Sequence, residues 1–206
     1  MGAVFARDGW RWPGRQARLL ARLQDADTGG GRRIFEYAFC LTFLLPLLFG
    51  VFAAAKSQRM ALESNGLAHD LARMYRQGVD FSTPANRAVA LQLARGRGLA
   101  LGGDSGMAIL SRVRVVQDAG CNHCANAGLA VFDQQIVIGS GAFRHGQTGT
   151  PPSDAGTGLV RDPANNPAAR ARVTEEEVRP GAPAWICELW FSAPDQPGGI
   201  YVRVVD

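Results

Sequence analysis

From Ile34 to Ala55 the chain reads IFEYAFCLTFLLPLLFGVFAAA, 22 residues with one carboxylate, Glu36, near their N-terminal end. As a helix such a run reaches roughly 33 Å, enough for the hydrocarbon core of a bilayer. Charges bracket it, Arg32 and Arg33 before and Lys56 and Arg59 after, and no amphipathic period runs through its interior. Both features argue against the core helix of a soluble protein. Pro46 removes one backbone donor in mid-run, which membrane helices tolerate. A carboxylate at the margin of such a helix is costly in lipid unless it is paired, so Glu36 is a candidate functional residue.

The charge is distributed unevenly. Residues 1–33 hold seven Arg against three Asp, and the rest of the chain is balanced, so the whole formal surplus of +4 precedes the span. By the positive-inside rule the N-terminus is expected in the cytoplasm and the C-terminal part across the membrane, in the periplasm if the membrane is a bacterial inner membrane. The pI near 9.2 then says little about nucleic acid, which calls for Lys and Arg clustered on a folded surface among aromatics. No nucleic-acid partner is expected. The segment Ala17–Leu23, ARLLARL, is a basic amphipathic stretch suited to anionic headgroups.

A secretory signal has a shorter apolar stretch followed by a small-residue cleavage site. Here the apolar run is longer and follows 33 residues, with Ala53-Ala54-Ala55 as the competing cleavage site. Gly31, with Glu36 five positions on and an apolar stem behind it, resembles the class III signal of type IV prepilins. In that family a membrane peptidase cuts after the glycine on the cytoplasmic face and the helix stays in the mature protein. Glycine suits a cut at which a protease must approach the backbone closely. The run Ile34-Phe35-Glu36-Tyr37-Ala38-Phe39, continued by Leu44-Leu45-Pro46-Leu47-Leu48-Phe49-Gly50, is similar to the N-terminal signature of TadE-like and TadF-like minor pseudopilins of the tight adherence (Tad, Flp-type) pilus. The likeness covers residues 31–50, with glutamate, proline and Phe-Gly in register together. Arg32 and Arg33 depart from it, standing where small or apolar residues are usual.

The resemblance implies processing at Gly31-Arg32 and a Glu36 that pairs with the terminal amine of a neighbouring subunit. It also implies partners: the major Flp-type pilin, other pseudopilins, the inner-membrane assembly platform and the prepilin peptidase. A role in priming or assembling an adhesion pilus follows from the same likeness.

Past the span, Met60, Leu67, Leu71, Met74 and Tyr75 keep helical spacing and Gly78 supplies a stop, so one helix is expected from about Ile34 to Gln77. A break at Lys56 with a separate amphipathic helix is the alternative. A second helix follows, with Thr83 as N-cap, Pro84 in the first turn and an end at Gly96. Strands are expected at Met107–Gln117 and Ala127–Gly139, the latter with Phe132, Gln134, Ile136 and Ile138 on one face. Trp185, Cys187, Leu189 and Phe191 alternate as an inward face, as do Ile200, Val202 and Val204, with residues 195–199 as the turn between them. Residues 141–183 are rich in Gly, Pro, Ala, Asp, Asn and Thr and read as a long surface insertion or loose loop, with at best a short helix around Pro167–Arg172. Glu175-Glu176-Glu177 reads as a solvated face.

The expected class is α+β: a leader over 1–31, a transmembrane segment over 32–56, a stem extension over 57–80, and a β-rich domain over 81–206 containing the irregular loop 141–183. Among four cysteines Cys40 lies in the span, and Cys121, Cys124 and Cys187 face an oxidising compartment. They are disulfide candidates whose pairing spacing does not decide. Cys121-Asn122-His123-Cys124 leads into a β pattern and not a helix, which argues against thiol-redox chemistry, and Ala125 after Cys124 excludes a haem attachment motif. No zinc spacing, hydrolase elbow or phosphate loop stands in the sequence. Neither enzyme activity nor a cofactor or metal is expected. The rival to the pseudopilin reading is a signal-anchored periplasmic binding or thiol-redox module outside any filament.

Overall fold

The computed structural model describes residues 14–103, 105–117, 123–139, 146–193 and 196–206, with the backbone alone at 14–35, 193 and 196–198. Its elements are α1 (Gly14–Arg76), α2 (Pro84–Gly96), β1 (Gly106–Val115), β2 (Ala130–Gly139), β3 (Ala184–Ala193) and β4 (Gln196–Val205), with one 3-10 turn at Pro167–Ala169. The chain divides into two compact units, Met1–Ala55 and Lys56–Asp206.

In the first unit α1 begins at Gly14, well before the expected start at Ile34. The reason is local: Arg, Gln, Ala and Leu dominate residues 15–24, and all are strong helix formers. Pro46 lies inside the helix without ending it, although it has no N–H to give the carbonyl of Thr42. Among the described residues this is the one helix long and apolar enough to cross a membrane, and its most apolar window is fully unburied. Phe39, Phe43, Leu47, Phe49 and Phe52 all stand open. Such a surface suits lipid and supports membrane anchoring.

The second unit is an α+β fold. In its part of α1, Leu67, Ala68, Leu71, Ala72 and Tyr75 are buried at three- and four-residue spacing. Gly78 (φ +91°) ends the helix as expected: its N–H bonds to the Tyr75 carbonyl and the Val79 N–H reaches back to that of Met74. α2 also runs as read, with Thr83 Oγ1 accepting from the Asn86 N–H and Pro84 in the first turn. Arg97, just past α2, forms ion pairs with Asp70 and Glu63 of α1. Its guanidinium passes so close over Gly66 that a Cβ there would strike it.

The strands form one antiparallel sheet in the order β2-β1-β3-β4. One face, carrying Ala108, Leu110, Ile136, Ile138, Cys187, Leu189, Phe191, Ile200 and Val204, packs with the buried residues of α1 and α2 into the larger core. The other face forms a second core, in which Val113, Phe132 and Ile186 meet Val160, Ala169 and Val178 of the insertion. The described part of the insertion, 146–183, is therefore packed on the sheet and not loose. It also pairs with the free edge of β2: the Gln135 N–H donates to the Gly158 carbonyl, and those of Val160 and Ala171 to Asp133 and Ala130.

The even alternation read for β2 is broken. Arg112 pairs with Gln134 but Val113 with Phe132, so Asp133 is the extra residue of a β-bulge. The bulge turns Phe132 away from the face of Ile136 and Ile138 and into the second core. The expected short helix at Pro167–Arg172 is the 3-10 turn Pro167–Ala169, opened by Asn166, whose side chain accepts from the Ala168 N–H.

Candidate functional site

Gly31 and Arg32 lie within α1, so the backbone at the expected cut is helical. Glu36 lies at the start of the apolar span and is exposed. Cys124 is disulfide-bonded, Cys40 and Cys187 are free thiols, and Cys121 lies outside the described residues. Cys187 thus drops out as a disulfide candidate. It is fully buried on the helix-facing side of β3, between Leu110 of β1 and Val204 of β4. Burial, and then the nearby Glu188 charge, push its thiol far above the ordinary range, which leaves it inert.

The loop after Cys124 has a structural task. Asn126 is buried; its Nδ2 donates to the carbonyls of Pro163 (2.8 Å) and Asn166 (2.7 Å), and its Oδ1 accepts from Arg170 Nε (2.7 Å). It ties the cysteine loop to the insertion. Among the described residues no group of three or more His, Cys, Asp or Glu could hold a metal ion. His69 is exposed on α1, and His145 lies outside the described residues.

Two polar clusters were not singled out from the sequence. The first is on the insertion-facing side of β3 and β4. Glu188 is fully buried; its Oε1 accepts from Tyr201 Oη and from the Thr148 N–H (3.1 Å). Beside it Arg203 donates to Thr148 Oγ1 (3.3 Å) and grips Glu177 with both terminal nitrogens. Hydrogen bonding from Arg203 holds the Glu177 carboxyl below its ordinary range. Burial, with the bond to Glu188, raises the Tyr201 phenol far above its own. Glu177 is therefore not part of a solvated face, as its two exposed neighbours are, but a clasp between insertion and sheet. A charged residue inside the apolar run Trp185–Phe191 was the signal available.

The second cluster lies on the helix-facing side, past the end of α1, where the sheet is left uncovered. Gln134, Arg112 and Trp185 form one cross-strand row. Gln134 is used in both directions, accepting from Tyr75 Oη (2.9 Å) and donating to the Thr157 carbonyl (2.7 Å). Arg114 Nε donates to Asp133 Oδ1 (2.7 Å), while Arg112 Nε stands 3.7 Å from Asp133 Oδ2, beyond hydrogen-bond reach. Arg112 and Trp185 are common walls of two clefts, of about 630 Å³ and about 380 Å³.

Compared with family models, curated proteins and solved structures, the chain matches none.

Proposed function

We propose that this chain is a TadE/TadF-like minor pseudopilin that takes part in assembling or priming a Flp-type adhesion pilus. The observation that carries the reading is the pattern Gly31, Glu36, Pro46 and Phe49-Gly50, set in a helix whose large apolar side chains from Tyr37 to Phe52 are exposed. The same helix supplies Leu67, Leu71 and Tyr75 to the core of the α+β unit, which supports reading it as a stem. On this reading the leader stays in the cytoplasm, the helix sits in a bacterial inner membrane and the sheet lies in the periplasm. Partners are the major pilin, sister pseudopilins, the assembly platform and a prepilin peptidase for which the chain is substrate and not enzyme.

The helical backbone at the cut is compatible with processing. Gly29, Gly30 and Gly31 each cost about 1 kcal/mol in a helix relative to alanine, which favours local unwinding of this turn. N-terminal sequencing of the membrane-bound protein, made in cells holding the cognate peptidase, tests the reading. A new terminus at Arg32 is expected. A terminus at Met1 leaves a signal-anchored module and overturns it.

A further inference from the structure

We propose that the Arg112–Trp185 row is a binding site for a carboxylate, presented by an extended peptide segment of a partner chain. The inference is independent of whether the chain is cut at Gly31. One carboxylate, Asp133, faces two guanidinium groups; Arg114 takes the hydrogen bond and Arg112 is left without one among the described residues. Arg112 Nε is shut off from solvent with no acceptor, while the side chain as a whole is 39% exposed. Its terminal nitrogens are therefore the groups that can reach a ligand.

An arginine in this state is short of acceptors, since a guanidinium offers five donors in a flat fork that matches a carboxylate with two parallel bonds. Other acids nearby are occupied: Asp206 bonds Arg76 (3.0 Å), and Asp80 accepts from the Ser82 N–H (2.9 Å). Next to Arg112 the half-buried Trp185 adds an apolar wall on which a flat group or an aliphatic stem can lie. Arg76 is neutralised by Asp206, whereas Arg112 and Arg114 share the single carboxylate of Asp133. One guanidinium fork lacking a hydrogen-bonded acceptor matches a singly charged planar carboxylate with two parallel bonds. The two clefts meet at Arg112, so a ligand gripped there has room on both sides of the charge, which fits a chain passing through.

The test is calorimetric titration of the full-length protein in detergent micelles with three probes: a capped Gly-Gly-Asp-Gly-Gly peptide, succinate and inorganic phosphate. Saturable binding of the peptide is expected. It should weaken at least about tenfold in Arg112→Gln and Arg112→Lys, because lysine keeps the charge and loses the fork. Arg59→Gln, exposed on α1 and outside both clefts, should bind as wild type. Circular dichroism melts of the variants establish that each is folded, and Trp185→Phe, which keeps a flat apolar wall, serves as a second probe if Arg112 variants melt early. Stronger binding of succinate than of the peptide overturns the peptide source, and equal binding of phosphate overturns the carboxylate class. Failure of all three probes to bind wild type, or equal peptide binding by wild type and Arg112→Gln, overturns the site.

Discussion

Tyr201 Oη donates a 2.6 Å hydrogen bond to Oε1 of Glu188, a fully buried carboxylate whose other oxygen, Oε2, has no hydrogen-bond partner among the described residues. Tyr201 and the Thr148 N–H are thus the groups that compensate Glu188 for lost hydration. Tyr201→Phe should lower unfolding stability by about 1–3 kcal/mol, since one of the two donors that the described residues give to a buried carboxyl group disappears. Urea denaturation in detergent would measure it; an unchanged midpoint would show that the bond contributes nothing.

Gly146 borders the same carboxylate. A Cβ there would overlap Glu188 Oε2 and crowd Ile109 Cδ1 at 3.2 Å. Gly146→Ala should therefore destabilise the protein, and the loss should shrink when Glu188 is also shortened to alanine. Additive effects in that double-mutant cycle would mean that the two residues do not meet.

Glu177 gives the fold a dependence on acid. Its carboxyl is held below the ordinary value in the folded state by Arg203, so its contribution is present above the unfolded pKa of about 4.3 and is lost as pH falls through the folded one. Glu177→Gln should remove that part of the slope and lower stability at neutral pH, while leaving strongly acid samples nearly unchanged. Thermal melts between pH 2 and pH 7, taken as about those limits, would show parallel profiles if the clasp were idle.

The free thiol on β3 should be silent. Iodoacetamide should not label Cys187 in the folded protein and should label it once the chain is unfolded in denaturant without reductant, because burial both hides the sulfur and keeps it protonated. Peptide mapping reads this out, and labelling at neutral pH before unfolding would contradict the assigned burial.

For the pilus reading, Glu36→Ala should leave membrane insertion intact, since removing a charge lowers the cost of transfer to lipid. Co-purification with sister pseudopilins should fall, because a partner amine would lose its counter-charge in a low-dielectric setting. Undiminished co-purification and pilus output would make Glu36 incidental.

Much of the architecture was legible because it rests on local signals. The 22-residue apolar run, the stop at Gly78, the cap at Thr83 and the inward alternation from Trp185 to Phe191 all depend on neighbours in sequence. What escaped depends on neighbours in space. No pattern within β2 announces that Asp133 is an extra residue, because the bulge is defined only against Arg112 and Val113 of β1. The insertion reads as loose from its composition, yet Val160, Ala169 and Val178 are enough to seat it on a face supplied by β1, β2 and β3. Nor does Arg112 differ in sequence from Arg114; the fold decides which of them receives the Asp133 hydrogen bond. The roles expected for Gly31 and Glu36 came from resemblance and stay with it.

The bulge at Asp133 has a mechanical meaning. By changing sides once, β2 contributes Ile136 and Ile138 to the larger core and Phe132 to the smaller, so neither core can loosen without disturbing a strand that the other needs. The helices and the insertion never have to touch for their fates to be joined. Seen in a melting experiment, the unit Lys56–Asp206 should behave as one cooperative body with a single transition, not as a stable half and a peeling cover.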